Sequence, residues 1–211
     1  SRFAQRGPEN RTLRDRATAH FREALRTNPQ HVSAHVNLAR ELRHQGNTEE
    51  ASFHYRRALR LQPDLVEAHF NLGNLLADQG NNEKAIKSYR RAIRAKWDYV
   101  EAYYNLGATL VEERDFQGAQ HHFERTLQIK PDFSTARGAL AQVLVRQEHF
   151  GAAIEVLQQG LRVTPDYIRG ALMLASLLAT CPDAQLRDGR AAIGLAERVC
   201  RRLDYANPDA L

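Results

Sequence analysis

The chain has 211 residues, with 30 Lys and Arg against 25 Asp and Glu and a net charge of +5. Its two cysteines, Cys181 and Cys200, exclude a disulfide framework and a cysteine-based metal cluster, and no apolar run approaches the ~18–20 residues of a membrane span, so a soluble chain with two reduced thiols is expected. The positive excess belongs to residues 1–100, with 18 basic against 11 acidic residues, while residues 101–211 hold 12 against 14.

Residues 1–8 lack the apolar core of a secretory leader. The first predicted element is a leading helix over 12–28, carrying Ala17, Phe21 and Ala24 at helical spacing. From there a period of 34 residues governs the chain: Pro29, Pro63, Trp97, Pro131 and Pro165 stand at equal intervals. Ten residues beyond each comes a small residue, Ala39, Gly73, Gly107, Ala141 or Ala175, with a leucine before it. Twenty-two residues beyond the first four comes an alanine, Ala51, Ala85, Ala119 or Ala153, followed by Tyr55, Tyr89, Phe123 or Leu157 four residues later.

Each period predicts two helices. In 29–62 they run from about Val32 to Gln45 and from about Glu49 to Leu61, with a turn at Gly46-Asn47. The first helix has an apolar stripe at i, i+3, i+4 and i+7, as in Tyr103, Leu106, Gly107 and Leu110, and that stripe requires a neighbour. The proline ends the second helix because it has no N–H and clashes with the preceding turn. Trp97 takes that place once and is expected to pack between repeats. The expected organisation is all-α: hairpins at 29–62, 63–96, 97–130 and 131–164, then 165–203 with a longer turn through 181–189 and its alanine column displaced to Ala192. Residues 204–211 would open a further hairpin, so the chain reads as part of a longer array. Its last apolar face, at Ile193, Ala196 and Val199, would be partly uncovered and could pair with a second copy.

Asn71-Leu72-Gly73, Asn105-Leu106-Gly107, the Ala-x-x-x-Tyr-x-x-Ala of Ala51–Ala58 and Ala85–Ala92, and the closing Pro-Asp resemble tetratricopeptide repeats over residues 12–203. That resemblance implies a right-handed superhelical solenoid of antiparallel hairpins, binding protein segments in a concave groove lined by first helices. The passage from Ala179 to Cys200 is also similar to one found in large bacterial repeat proteins, some of which carry membrane-spanning or transferase modules. Membrane contact would then come only through modules outside these residues.

The first-helix residues outside the buried stripe share one face, and the resemblance makes this the groove. It comprises Asn37 and Arg40, then Glu67, Asn71, Asn74 and Asp78, then Glu101, Asn105 and Glu112, with Phe70 and Tyr104 as apolar contacts. A side-chain amide both donates to and accepts from a peptide backbone, so Asn37, Asn71 and Asn105 resemble the asparagine ladder of O-GlcNAc transferases. Ala139 and Met173 end that column, and the alternative is that these asparagines bridge hairpins. The acids around them predict an extended neutral or basic segment as ligand. The related carboxylate-clamp repeats need cations where this chain has Phe70, Thr135 and Ala139, so clamp function is not expected.

Other readings rank lower. Arg56, Arg57, Arg60, Arg90, Arg91 and Arg94 lie on second helices, where a solvated outer face is expected and a stripe for nucleic acid or an anionic surface is the rival. His31 and His35 are four apart and His69 follows one period later, but His35 and His69 share the packing column of Tyr103. No nucleophile motif or phosphate loop is present, so a non-enzymatic protein-interaction scaffold is expected, with no cofactor, metal or small-molecule substrate. Structural assembly through the array ends is the alternative.

Overall fold

A computed structural model describes residues 8–205, with side chains from Leu13 to Leu203. Its described residues form eleven α-helices and one short 3-10 turn, without a strand. They are α1 (Pro8–Thr27), α2 (Val32–His44), α3 (Thr48–Leu61), α4 (Val66–Asp78), α5 (Asn82–Ala95), α6 (Val100–Glu112), α7 (Phe116–Ile129), α8 (Ser134–Arg146), α9 (Phe150–Val163), α10 (Ile168–Thr180) and α11 (Gly189–Tyr205). The leading helix begins at Pro8, a residue suited to a first turn because that turn needs no N–H from it. Of the stretch 204–211, only the last two residues of α11 fall among the described residues. No described helix is long and apolar enough to cross a membrane.

The chain divides after Ala102 into two compact units. In the first, α1 packs on α2, α2 on α3, α3 on α4 and α4 on α5. In the second, α7 packs on α8, α8 on α9, α9 on α10 and α10 on α11. Helices of 13 or 14 residues are marginal alone, so burial of their apolar stripes must hold them. The second-helix columns do this by completely burying Tyr55, Tyr89, Phe123 and Leu157 together with their alanines.

Small residues and aromatics fit in pairs. A Cβ on Gly73 would stand 2.6 Å from Cε1 of Tyr89, and one on Gly107 would stand 2.8 Å from Cε1 of Phe123. Bare backbone therefore makes room for each ring.

The turn inside each hairpin also repeats. Asn47 N–H donates to the Leu42 carbonyl, Asn81 to Leu76, Asp115 to Leu110 and His149 to Leu144, at 2.8–2.9 Å. This helix-ending bond needs a left-handed residue just before the donor. Gly46 (φ 83°) and Gly80 (φ 70°) supply it without strain, whereas Arg114 (φ 60°) and Glu148 (φ 62°) adopt it with a Cβ. In the fifth hairpin the inserted residues form the 3-10 turn Ala184–Leu186, and Asp188 closes the loop by donating to the Leu178 carbonyl at 3.0 Å. The Asp188 side chain then caps α11 through the Ala191 N–H, and Ala192 is buried in the displaced alanine column.

Between repeats, Gln62, Lys130 and Thr164 are extended, as a following proline demands. Lys96 takes the same conformation before Trp97 (φ −143°, ψ 99°), so the repeat imposes this geometry without proline. Trp97 departs from the expected packing: it is 67% exposed. On the end face Ile193 and Leu203 are exposed and Ala196 is half-buried, whereas Val199 is buried.

Candidate functional site

The first unit brings α2 and α4 side by side, placing their polar residues at equivalent helical positions. Asn37 and Asn71 are half-buried there, and neither side chain has a hydrogen-bond partner among the described residues. Asn74 differs, because its Oδ1 accepts from the Tyr89 hydroxyl at 2.8 Å. It orients a core ring as well as facing outward.

The acids of this unit are largely matched. Asp78 receives Nε of Arg43 at 2.9 Å, and Glu67 lies 3.6 Å from Nη1 of Arg40, which also approaches Glu41 at 4.0 Å. Exposed pairs of this kind contribute only ~0–1 kcal/mol, but they cancel charge where a ligand would meet it. Glu101 remains exposed without an ion pair among the described residues. Arg43 was not singled out from sequence; its position one turn beyond Arg40 was the available signal.

Phe70 is a packing residue as much as a contact. Its ring meets Tyr99 edge-on at 5.0 Å and lies 6.1 Å from Tyr89. Tyr104 in the second unit repeats this arrangement, at 5.3 Å from Phe133 and 5.7 Å from Phe123. One period later the column holds Gly138, and the Tyr167 hydroxyl occupies the space where its Cβ would stand, 2.5 Å away. Burial raises the phenol pKa values of Tyr99 and Tyr167, keeping both neutral. Asn105 already has partners within the protein, and Glu112 is exposed beyond it.

A second column has a role that the periodicity did not reveal. His35 Nε2 lies 3.1 Å from the Pro29 carbonyl, His69 Nε2 lies 2.8 Å from the Pro63 carbonyl, and Arg137 Nη2 donates to the Pro131 carbonyl at 2.6 Å. All three side chains are buried, and each ties the start of a first helix to the preceding turn. In the fifth repeat this position is Ala171, and Arg202 of α11 reaches the Pro165 carbonyl instead at 3.4 Å, pairing also with Asp166. Desolvation lowers the pKa values of His35, His54, His69 and Arg137. These histidines are structural staples: His31 caps the Ala34 N–H through Nδ1, and the described residues contain no group of three or more potential metal ligands. Cys181 is buried, Cys200 is exposed, and both are free thiols.

Comparison with known proteins agrees with this repeat geometry. A family model described as a TPR repeat matches residues 39–80 and 73–113, and two described as tetratricopeptide repeats match 110–177 and 11–52. No curated protein shows significant sequence similarity to the chain. Among solved structures, YrrB, described as a TPR protein with an unusual peptide-binding site, is 18% identical with a TM-score of 0.68, covering 86% of this chain and 91% of its own. MamA from Desulfovibrio magneticus RS-1 is 19% identical with a TM-score of 0.69, covering 84% and 97%. PilF of Pseudomonas aeruginosa is 20% identical with a TM-score of 0.72, covering 95% and 89%.

Proposed function

The chain belongs to the tetratricopeptide repeat family, a protein-interaction scaffold, and from that membership we propose that the first-helix face of α2 and α4 binds an extended protein segment. The observation that carries this reading is the pair of half-buried amides on Asn37 and Asn71 that have no partner among the described residues. A bound peptide can engage both amides, because each can accept from a backbone N–H and donate to a carbonyl. Sequence-tolerant capture through main-chain bonds follows from that chemistry. The pairing of Asp78 and Glu67 with arginines leaves Glu101 as the unmatched charge, which supports a neutral or basic segment over an acidic one. The binding step involves no catalysis and no cofactor.

The test is selection of short peptides on the immobilised chain, followed by titration of the best binder. Replacing both Asn37 and Asn71 with alanine should weaken binding at least about tenfold, since two lost hydrogen bonds are worth about 1 kcal/mol each or more, while far-UV circular dichroism is unchanged. Equal affinity in the double variant would remove the assignment. Self-association through an end is the second reading, favoured by the exposure of Ile193 (63%) and Leu203 (51%) on α11. A concentration-independent monomer mass in light scattering would dismiss it.

A further inference from the structure

A cavity of about 400 Å³ lies within the first unit on the opposite type of surface, between second helices α3 and α5, with α4 as its floor. One wall carries Arg56 and Arg60, and the other carries Lys84, Lys87 and Arg91. No acidic side chain lines it. Lys87 is held by Glu83 at 2.5 Å, and Lys84 also acts on the Glu83 carboxylate, but Arg56, Arg60 and Arg91 are exposed and have no carboxylate partner among the described residues. Three arginines without a carboxylate partner around one depression create a positive potential that solvent screens only partly.

The floor has different chemistry. Leu72 and Leu76 of α4 and Leu59 of α3 provide its apolar surface, and His69 contributes an imidazole whose Nε2 is committed to the Pro63 carbonyl. Desolvation disfavours protonation of that ring, with Arg91 adding to the effect, so the floor carries no charge of its own. A second hollow of similar size shares Arg56 and Arg60 and is lined also by Glu49, Ser52, Phe53 and Gln79, and the Phe53 ring is 56% exposed. The leucine floor and the cation-only walls are therefore confined to the first cleft.

We infer that this cleft is a second docking surface, which takes an acidic amphipathic segment of a partner protein, its apolar side chains on Leu59, Leu72 and Leu76 and its carboxylates on Arg56, Arg60 and Arg91. Charge complementarity selects an anionic occupant, and the leucine floor selects among anions. A phosphate-rich polymer would satisfy the arginines but leave the leucines without a partner, and the exposed Phe53 ring lines the neighbouring hollow and not this cleft. An amphipathic segment matches both surfaces at once. This cleft prefers the opposite charge to the Asn37 and Asn71 face, so the two surfaces can serve different partners.

The experiment uses the whole chain and a fluorescein-labelled peptide of about 16 residues with Glu and Leu at helical spacing. The expected result is saturable binding that weakens as salt rises and falls at least about tenfold in the Arg60→Glu/Arg91→Glu variant. Arg56→Gln/Lys84→Gln should lower affinity as well, providing a milder variant if charge reversal disturbs folding. Asn37→Ala/Asn71→Ala should bind the peptide as the parent does. Absence of binding, equal binding by both charge variants, or equal binding of a peptide with Ser for Leu would overturn the proposal. Tighter binding of a single-stranded oligonucleotide than of the acidic peptide would also overturn it, in favour of a nucleic-acid surface.

Discussion

Nδ1 of His35 lies 2.8 Å from Nδ1 of His54, joining α2 to α3 through two imidazoles. His35 Nε2 faces the Pro29 carbonyl and so carries hydrogen, which leaves the His35 Nδ1 lone pair to accept from His54. Protonating His35 would set two N–H groups against each other. Burial lowers both pKa values; His35 and Arg22 lower that of His54 further, against the opposing charge of Glu50, while Arg57 and His31 lower that of His35. His69 is depressed in the same direction.

Stability should therefore fall in acid. With folded-state values below the ordinary histidine value of about 6.5, the unfolded chain takes up protons first as pH falls. The contribution is fully present above about 6.5 and is lost as pH falls towards the folded values. The melting temperature at pH 5 should be below that at pH 7.5, and His69→Gln, which keeps a donor for the Pro63 carbonyl, should reduce the difference. A melting temperature equal at both values would contradict this reading.

Gly73→Ala should destabilise the chain by about 1–3 kcal/mol, because the new methyl meets the Tyr89 ring at 2.6 Å and the ring must move away from Asn74. The first repeat illustrates the consequence. Tyr55 faces Ala39 in place of glycine, position 40 is an arginine without an acceptor, and the buried Tyr55 hydroxyl has no partner. Burial pushes its pKa up to about 12. Urea unfolding of Gly73→Ala beside Gly107→Ala measures the effect in two repeats.

Arg114→Gly and Glu148→Gly should each stabilise by roughly 0.5–1 kcal/mol, since both residues hold a left-handed conformation that glycine adopts freely and both side chains are exposed. Gly46→Ala should have the opposite sign. Chemical denaturation of the three variants decides the matter.

Arg137 and Gly160 should be coupled. The Arg137 side chain lies where a Cβ of Gly160 would stand, and its guanidinium serves the Pro131 carbonyl. Gly160→Ala should cost about 1–3 kcal/mol in the parent but less than about 1 kcal/mol with Arg137→His, the residue type found at the same position in the first two repeats. Additive effects in the double-mutant cycle would show that the two positions are independent.

The all-helical repeat fold was legible because one 34-residue period writes the same signals five times, and agreement among repeats suppresses the ambiguity of any single segment. The helices expected at Val32 and Leu61 begin and end there. Trp97 was less legible: proline and tryptophan follow the same extended backbone, but only proline carries its reason in its own ring.

The sequence by itself determined the family, the all-helical hairpins and which residues share a helix face, because these depend on spacing within a few turns of one chain segment. Only the tertiary structure decided which of those residues already have partners. Asn37 and Asn71 have none for their side chains among the described residues, while Asp78 is matched by Arg43, Glu67 by Arg40, and Phe70 by Tyr99. His35 likewise showed a packing position in sequence and a hydrogen-bonded staple in space. The physical reason is that a hydrogen bond or ion pair is settled by a few ångströms between side chains on different elements, and a period fixes the order of the helices without fixing those distances.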